Sequence, residues 1–168
     1  MLPKKIETAM NKQINHELYS SYLYLSMSAY FKELNLDGFA HWMRVQAQEE
    51  LLHALKFFDH ILERGGSPKL DMVKGPEAVW KSTVEVCGAV LKHEQFISKN
   101  INTLADLALS EKDHASMTLL QWFVNEQVEE EANATLLLER AKMIKDSTGA
   151  LLMLDRQLAQ RQAGGAED

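Results

Sequence analysis

Six residues share a repeated spacing, and five of them, all but Gln127, could hold metal ions. Glu17 precedes Glu50 by 33 residues and His53 by 36; Glu94 precedes Gln127 by 33 and Glu130 by 36. The chain thus reads as two copies of one unit, each supplying an acid and then a pair three residues apart. On a helix, residues at i and i+3 lie on the same face, so both members of a pair can reach one point. Carboxylates with a single imidazole suit Fe(II), Fe(III) or Mn(II) and tolerate Zn(II). The chemistry expected of two such ions side by side is transfer of one electron from each to dioxygen, which avoids a one-electron radical.

The placement of these residues sharpens the reading. Following the three/four spacing of one helix face, the first segment gives Met10, Gln13, Glu17, Ser20, Tyr24, Met27 and Phe31, and the second gives Phe39, Met43, Gln46, Glu50, His53, Phe57 and Ile61. The third gives Val84, Cys87, Leu91, Glu94, Ser98, Ile101 and Ala105, and the fourth Leu120, Phe123, Gln127, Glu130, Ala134, Leu137, Ala141 and Ile144. Each stripe is apolar near its ends and polar in the middle. An unpaired buried carboxylate costs several kcal/mol or stays protonated, and a bound cation is the direct compensation. Taken alone, Glu49–Glu50 and Glu129–Glu131 would be solvated helix faces and His53 a satisfied core histidine; the joint spacing overrides both readings. His16, His41, His60, His93 and His114 lie off these stripes or near their ends and receive no role.

Four long helices and one short one must carry this pattern. Prolines occur only at Pro3, Pro68 and Pro76, which leaves two long helix-permissive stretches around one short interruption. The expected helices run from about Lys4 to Leu34, Gly38 to Arg64, Trp80 to Leu109 and His114 to Lys145, with a short amphipathic segment at 151–158. Asp37 is the expected N-cap of the second, and Gly65–Gly66 its stop. Short turns at 35–38 and 110–113 make two antiparallel hairpins. The connection over 65–79 can reach about 50 Å, enough to cross a bundle of helices about 40–45 Å long. The fold expected is all-α: a four-helix bundle of two antiparallel hairpins joined by a long crossover, plus a short C-terminal fifth helix. One domain over 1–161 and a loose tail over 162–168 follow.

Composition narrows the partners. The net charge of −6 argues against nucleic acid. A single cysteine, Cys87, rules out an internal disulfide and a cysteine-only cluster; it reads as a small buried apolar residue. No apolar run approaches membrane-spanning length and no signal-like segment follows the first residues, so the expectation is a cytoplasmic protein with no membrane partner.

The pattern of one Glu from each of two helices and a Glu-x-x-His from the others is that of di-iron carboxylate bundles. Here the second hairpin departs from it, with Gln127 and Glu130 in the Glu and His positions. One metal position then has Glu17, Glu50 and His53; the other has Glu50 as a bridge, Glu94 and Glu130. Across residues 4–161, the strings Gln13–Met27, Trp42–His53 and Gln121–Glu131 resemble the bacterial and archaeal non-haem ferritins. The resemblance implies a ferroxidase that oxidises Fe(II) with dioxygen or peroxide and stores ferric mineral in a homo-oligomeric shell of 24 subunits. It implies two iron ions per site, with a third position nearby made by Glu49, Glu126, Glu129 and Glu130. Tyr24 and Trp122 become site-adjacent electron donors, though packing explains such large residues equally well. Haem-binding relatives carry Met where this chain has Leu51, so no haem is expected. A di-iron peroxidase or oxygenase of the same superfamily is the alternative. A metal-free helical interaction bundle is a weaker one, because it leaves the buried acids unexplained.

Overall fold

The computed structural model describes residues 1–162; of the expected tail, 163–168 lie outside the described residues. Among the described residues there are five helices: α1 (Lys4–Glu33), α2 (Asp37–Glu63), α3 (Thr83–Ser110), α4 (His114–Ile144) and α5 (Thr148–Leu158). The described residues contain no strand. α1 packs against α2 and α3 against α4, and α1 also meets α3. Among the described residues, no helix is long and apolar enough to cross a membrane.

Three helix ends close in the same way. Asn35, Gly65 and Lys112 take positive φ of 57°, 70° and 56°, and the following amide reaches back five residues: Leu36 N to Phe31 O, Gly66 N to Ile61 O and Asp113 N to Ala108 O, at 3.0, 2.8 and 2.9 Å. This is the Schellman closure, which satisfies carbonyls that the ending helix leaves bare. Asn35 and Lys112 are 77 residues apart, as are Glu17 and Glu94, Glu50 and Gln127, and His53 and Glu130. The duplication seen in the ligand spacing therefore extends to the hairpin turn.

The crossover runs lengthwise along α1. Asn11 Nδ2 donates to Ser67 O and Asn15 Nδ2 to Met72 O, at 3.3 and 3.2 Å. Further along, Ser26 Oγ donates to Glu77 O at 2.8 Å, and Trp80 meets Tyr30 edge to face. The chain is thereby returned to the end of the bundle where α2 began, so α2 and α3 run parallel, as the connection's length predicts.

Three boundaries differ from the sequence expectation. Asp37 is the first residue of α2, not its N-cap, and its carboxylate instead accepts from Lys32 Nζ at 2.7 Å. α3 starts at Thr83 rather than Trp80, because Ser82 caps it by accepting from Glu85 N. α5 starts three residues early, with Ser147 accepting from Ala150 N.

α2 has no side-chain cap of its own; α5 supplies one. Asp155 Oδ1 accepts from Phe39 N at 2.9 Å. That contact needs a bare backbone at Gly38, where a Cβ would lie 1.6 Å from Asp155 O. Gly38→Ala is therefore expected to push α5 away and uncap α2. Overpacking and a lost cap together cost roughly 2–3 kcal/mol, or about 5–10 °C in Tm for a chain of this size. Gly75→Ala, with nothing near the added carbon, is the control. Equal melting temperatures for the two variants by circular dichroism would refute this role for Gly38.

The interior has two apolar cores. One gathers the C-terminal half of α1, the starts of α2 and α3, the end of α4 and α5, around Phe31, Phe39, Met43 and Leu137. The other gathers the opposite ends, around Ile6, Phe57, Ile101 and Phe123. Between them lies a polar waist.

Candidate metal centre

The waist is one polar layer to which each of the four long helices contributes. α1 contributes Glu17, α2 contributes Glu50 and His53, α3 contributes Glu94, and α4 contributes Gln127 and Glu130, all buried. The three/four spacing puts them there because each lies on the same face as core residues above and below it. The expected stripes of α1 and α2 are buried throughout. That of α3 is rotated: Val84 and Leu91 are only half-buried, while Val90, His93 and Ile97 point inward.

Glu17, Glu50 and His53 each offer one ligand atom, and these atoms all lie within 4.8 Å of one another. His53 Nδ1 faces Glu50 Oε2 at 3.2 Å, and its Nε2 faces Glu126 Oε1 at 4.0 Å. Gln13 Nε2 donates to Glu17 Oε1 at 2.8 Å. The other oxygen, Glu17 Oε2, is buried with no donor among the described residues. A buried acceptor without a donor fits a cation ligand.

The second half gathers around Glu94 and Glu130. Gln46 Nε2 donates to Glu130 Oε2 at 2.7 Å and lies 3.4 Å from Glu50 Oε1, so one amide ties two carboxyls together. Tyr24 OH donates to Glu94 Oε1, and Gln127 Nε2 to Glu94 Oε2 at 3.2 Å and to Ser98 Oγ at 3.3 Å. Gln127 thus acts as a donor that holds Glu94, a role open to an amide and closed to an ionised Glu in its place.

Confinement shows in the acidities. Glu17 is pushed up to about 8, first by burial and then by the charge of Glu50. Glu50 is held well above its ordinary value by burial and by Glu94 and Glu130. Glu130 is pushed up to about 7 by burial and Glu94. Burial also raises Glu94, against the hydrogen bonds from Tyr24 and Gln127. The cluster resists carrying its full negative charge, which is what a divalent cation would relieve.

The remaining expected residues lie at the rim. Glu126 and Glu49 are half-buried and Glu129 is exposed. Burial raises Glu126 against the opposing charge of His53, and the charges of Glu129 and Glu49 add to the rise. Tyr24 is fully buried. Trp122 stands edge-on to the His53 ring at 5.6 Å and carries Lys56 Nζ over its face at 4.4 Å. Leu51 points outward, 45% exposed. Cys87 is buried and its thiol is pushed up to about 12 by burial, which makes it a packing residue.

Sequence reasoning assigned no role to Gln13, Gln46, His93 or Arg161. Gln13 and Gln46 were legible: each stands four residues before a site glutamate, one turn away on the same face. His93, expected off the stripes, is buried with Nε2 2.7 Å from Ser20 Oγ, and burial lowers it to about 4. Arg161 is separated from Glu49 by 112 residues yet pairs with it at 2.6 Å, which no local pattern signals.

A duplicated helical hairpin with a buried carboxylate–histidine waist defines a four-helix-bundle metalloprotein. The comparisons carry this to a family. The Ferritin-like domain model matches residues 7–144. The bacterial non-heme ferritin of Bacteroides fragilis is 43% identical over 161 residues, covering 96% of this chain and all of that one. Its counterpart in Campylobacter jejuni is 39% identical over 158 residues, covering 94% and 95%. Among solved structures, an open pore ferritin of Archaeoglobus fulgidus superposes with a TM-score of 0.95 at 48% identity, over 96% of this chain and all of that one. An engineered closed form of the A. fulgidus ferritin gives 0.96 at 47%, over 98% and 100%. The chain belongs to the ferritin family. Its general work is therefore the oxidation and storage of iron.

Proposed function

We propose that the waist is a ferroxidase centre that loads a hollow shell with ferric iron. Glu17, Glu50 and His53 hold one Fe(II); Glu50, Glu94 and Glu130 hold the other; Glu49, Glu126 and Glu129, with Glu130, offer a third position on the way out. The observation that carries this is the gathering of Glu17, Glu50 and His53 within ligand distance of one cation in a layer with two further buried glutamates. A metal-free bundle would have no use for such a layer, since apolar residues would stabilise it better.

The protein's own residues do the positioning. Gln13 orients Glu17, Gln46 keeps Glu50 and Glu130 adjacent, and Gln127 with Tyr24 fixes Glu94. Two Fe(II) held by a shared carboxylate lie roughly 3.5–4 Å apart, so both electrons that turn dioxygen into hydrogen peroxide come from one site. The two accompanying protons come from solvent, because the carboxyls that burial keeps protonated in the empty site release their protons when they take up metal. Tyr24 and Trp122 stand close enough to the ligands to donate further electrons. The stored product requires an enclosed assembly, and a closed point-group shell of 24 copies supplies one.

Two measurements test this together. In the first phase of oxidation, two Fe(II) should be consumed per dioxygen. The native mass should be that of a many-subunit shell that retains iron through gel filtration. A monomer or dimer under all conditions overturns the storage reading, and four Fe(II) per dioxygen from the first turnover overturns the paired two-electron step.

A further inference from the structure

One cation already sits against the third position. Arg161 lies just past α5, and its guanidinium pairs with Glu49 Oε2 at 2.6 Å. It is held there from two sides. The face of Trp42 lies under it, 4.4 Å from ring centroid to Cζ, and His41 Nε2 donates to the Arg161 carbonyl at 2.8 Å. Both side chains are largely covered, at 18% exposure for Arg161 and 14% for Glu49. The guanidinium also reaches the waist electrostatically, since its charge draws Glu130 down against the burial that raises it. One arm, Nη1, is buried with no acceptor among the described residues. Arg161 is therefore not saturated by its present partners, and the pair with Glu49 dominates its hydrogen bonding.

We propose that Arg161 is a resident counter-ion of the third position, which iron must displace from Glu49 before that carboxylate can act as a ligand. The inference rests on the assignment of Glu49 to that position. A carboxylate oxygen engaged at 2.6 Å by a guanidinium is a weakened metal ligand, and two cations crowded at one acid repel. While the third position is empty, the pair keeps a half-buried carboxylate satisfied and ties the C-terminal segment to α2. When an ion arrives, the guanidinium must leave Glu49, and the stack on Trp42 gives it a place to stay. Arg161 is thus a positioning residue: it makes the third position the weakest of the three and lets iron pass through it to the interior.

The test is anaerobic Fe(II) binding by the intact assembly, read by titration calorimetry and equilibrium dialysis. Wild type should show two tighter ions per chain and a third weaker one. Arg161→Gln should tighten the third by about tenfold, equivalent to about 1.4 kcal/mol, with the first two unchanged. Arg161→Lys, which restores the charge, should return the third ion towards its wild-type affinity; a merely structural role for Arg161 gives no such recovery. An unchanged or weakened third ion in Arg161→Gln overturns the proposal. Glu49→Gln separates the two ways to fail. If it abolishes the third ion while Arg161→Gln leaves that ion unchanged, Glu49 is the ligand and Arg161 does not compete for it. If Glu49→Gln retains the third ion at wild-type affinity, the assignment of Glu49 is wrong and the competition falls with it.

Discussion

Glu50→Gln is expected to lower the initial rate of Fe(II) oxidation roughly 100-fold or more while leaving the bundle folded. Glu50 is the one side chain common to both halves of the waist: its Oε2 faces His53 and its Oε1 faces the Gln46 amide that also holds Glu130. Replacing it with an amide keeps shape and packing. It removes the negative charge that two cations would share, so both positions weaken and their separation is no longer fixed. Rapid oxidation needs both ions present together, and the rate falls by more than either affinity does. Stability should move the other way. Glu50 is held well above its ordinary acidity by burial and by Glu94 and Glu130, so in metal-free protein near neutral pH the neutral amide is the cheaper occupant. The variant should melt higher than wild type after chelation and oxidise slowly after loading. Stopped-flow absorbance for the ferric product measures the rate, with the exposed Glu139→Gln as control. A wild-type rate in Glu50→Gln would remove the bridge from the mechanism, whatever the melting temperature.

Much of this centre was legible because a helix writes its buried face at fixed spacing. Glu17, Glu50, His53, Gln127 and Glu130 fell in the middle of stripes whose ends are apolar, and all are buried. The stripe of α3 was the exception. Its apolar residues cover a broad face, so a line through Val84 and Leu91 satisfied the spacing as well as the buried line through Val90 and Ile97, and His93 was left outside. Glu94 lies where the two lines meet. Contacts made across the chain were not legible at all. Asp155 caps α2 from 116 residues away, and Arg161 reaches Glu49 over 112. Neither depends on a local pattern; both depend on the angle at which α5 returns to the start of α2, which Gly38 sets by having no side chain.

The same buried acids predict how stability responds to pH and to metal. Metal-free protein should lose stability as pH rises from about 6.5 to 8.5. Glu17 has a folded value of about 8 against an ordinary 4.5, and Glu130 about 7. A carboxyl raised in the folded state holds a proton that the unfolded chain has already released. Its favourable contribution is complete below 4.5 and is lost as pH climbs through the folded value. Each proton so held costs about 1.4 kcal/mol per pH unit, so Glu17 alone removes roughly 2 kcal/mol between 6.5 and 8, and Glu50 adds to it. The histidines act oppositely but lower down. Burial depresses His93 to about 4 and lowers His16 and His60 below 6.5, so their contribution grows with pH only up to about 6.5 and is constant beyond it. Glu7 and Asp113, whose carboxyls are lowered, change only in acid. The window above 6.5 thus isolates the waist. Zn(II), or Fe(II) under anoxia, should reverse the slope there, because each proton lost frees a ligand and binding to the folded state alone stabilises it. Melting curves of chelated and loaded protein at pH 6.5, 7.5 and 8.5 make the comparison. Chelated wild type should fall by several degrees across the series, loaded protein should hold or rise, and chelated Glu50→Gln should fall less than wild type. A chelated protein most stable at 8.5 would mean that the four carboxyls are already ionised without metal, and that the waist is balanced by some other charge.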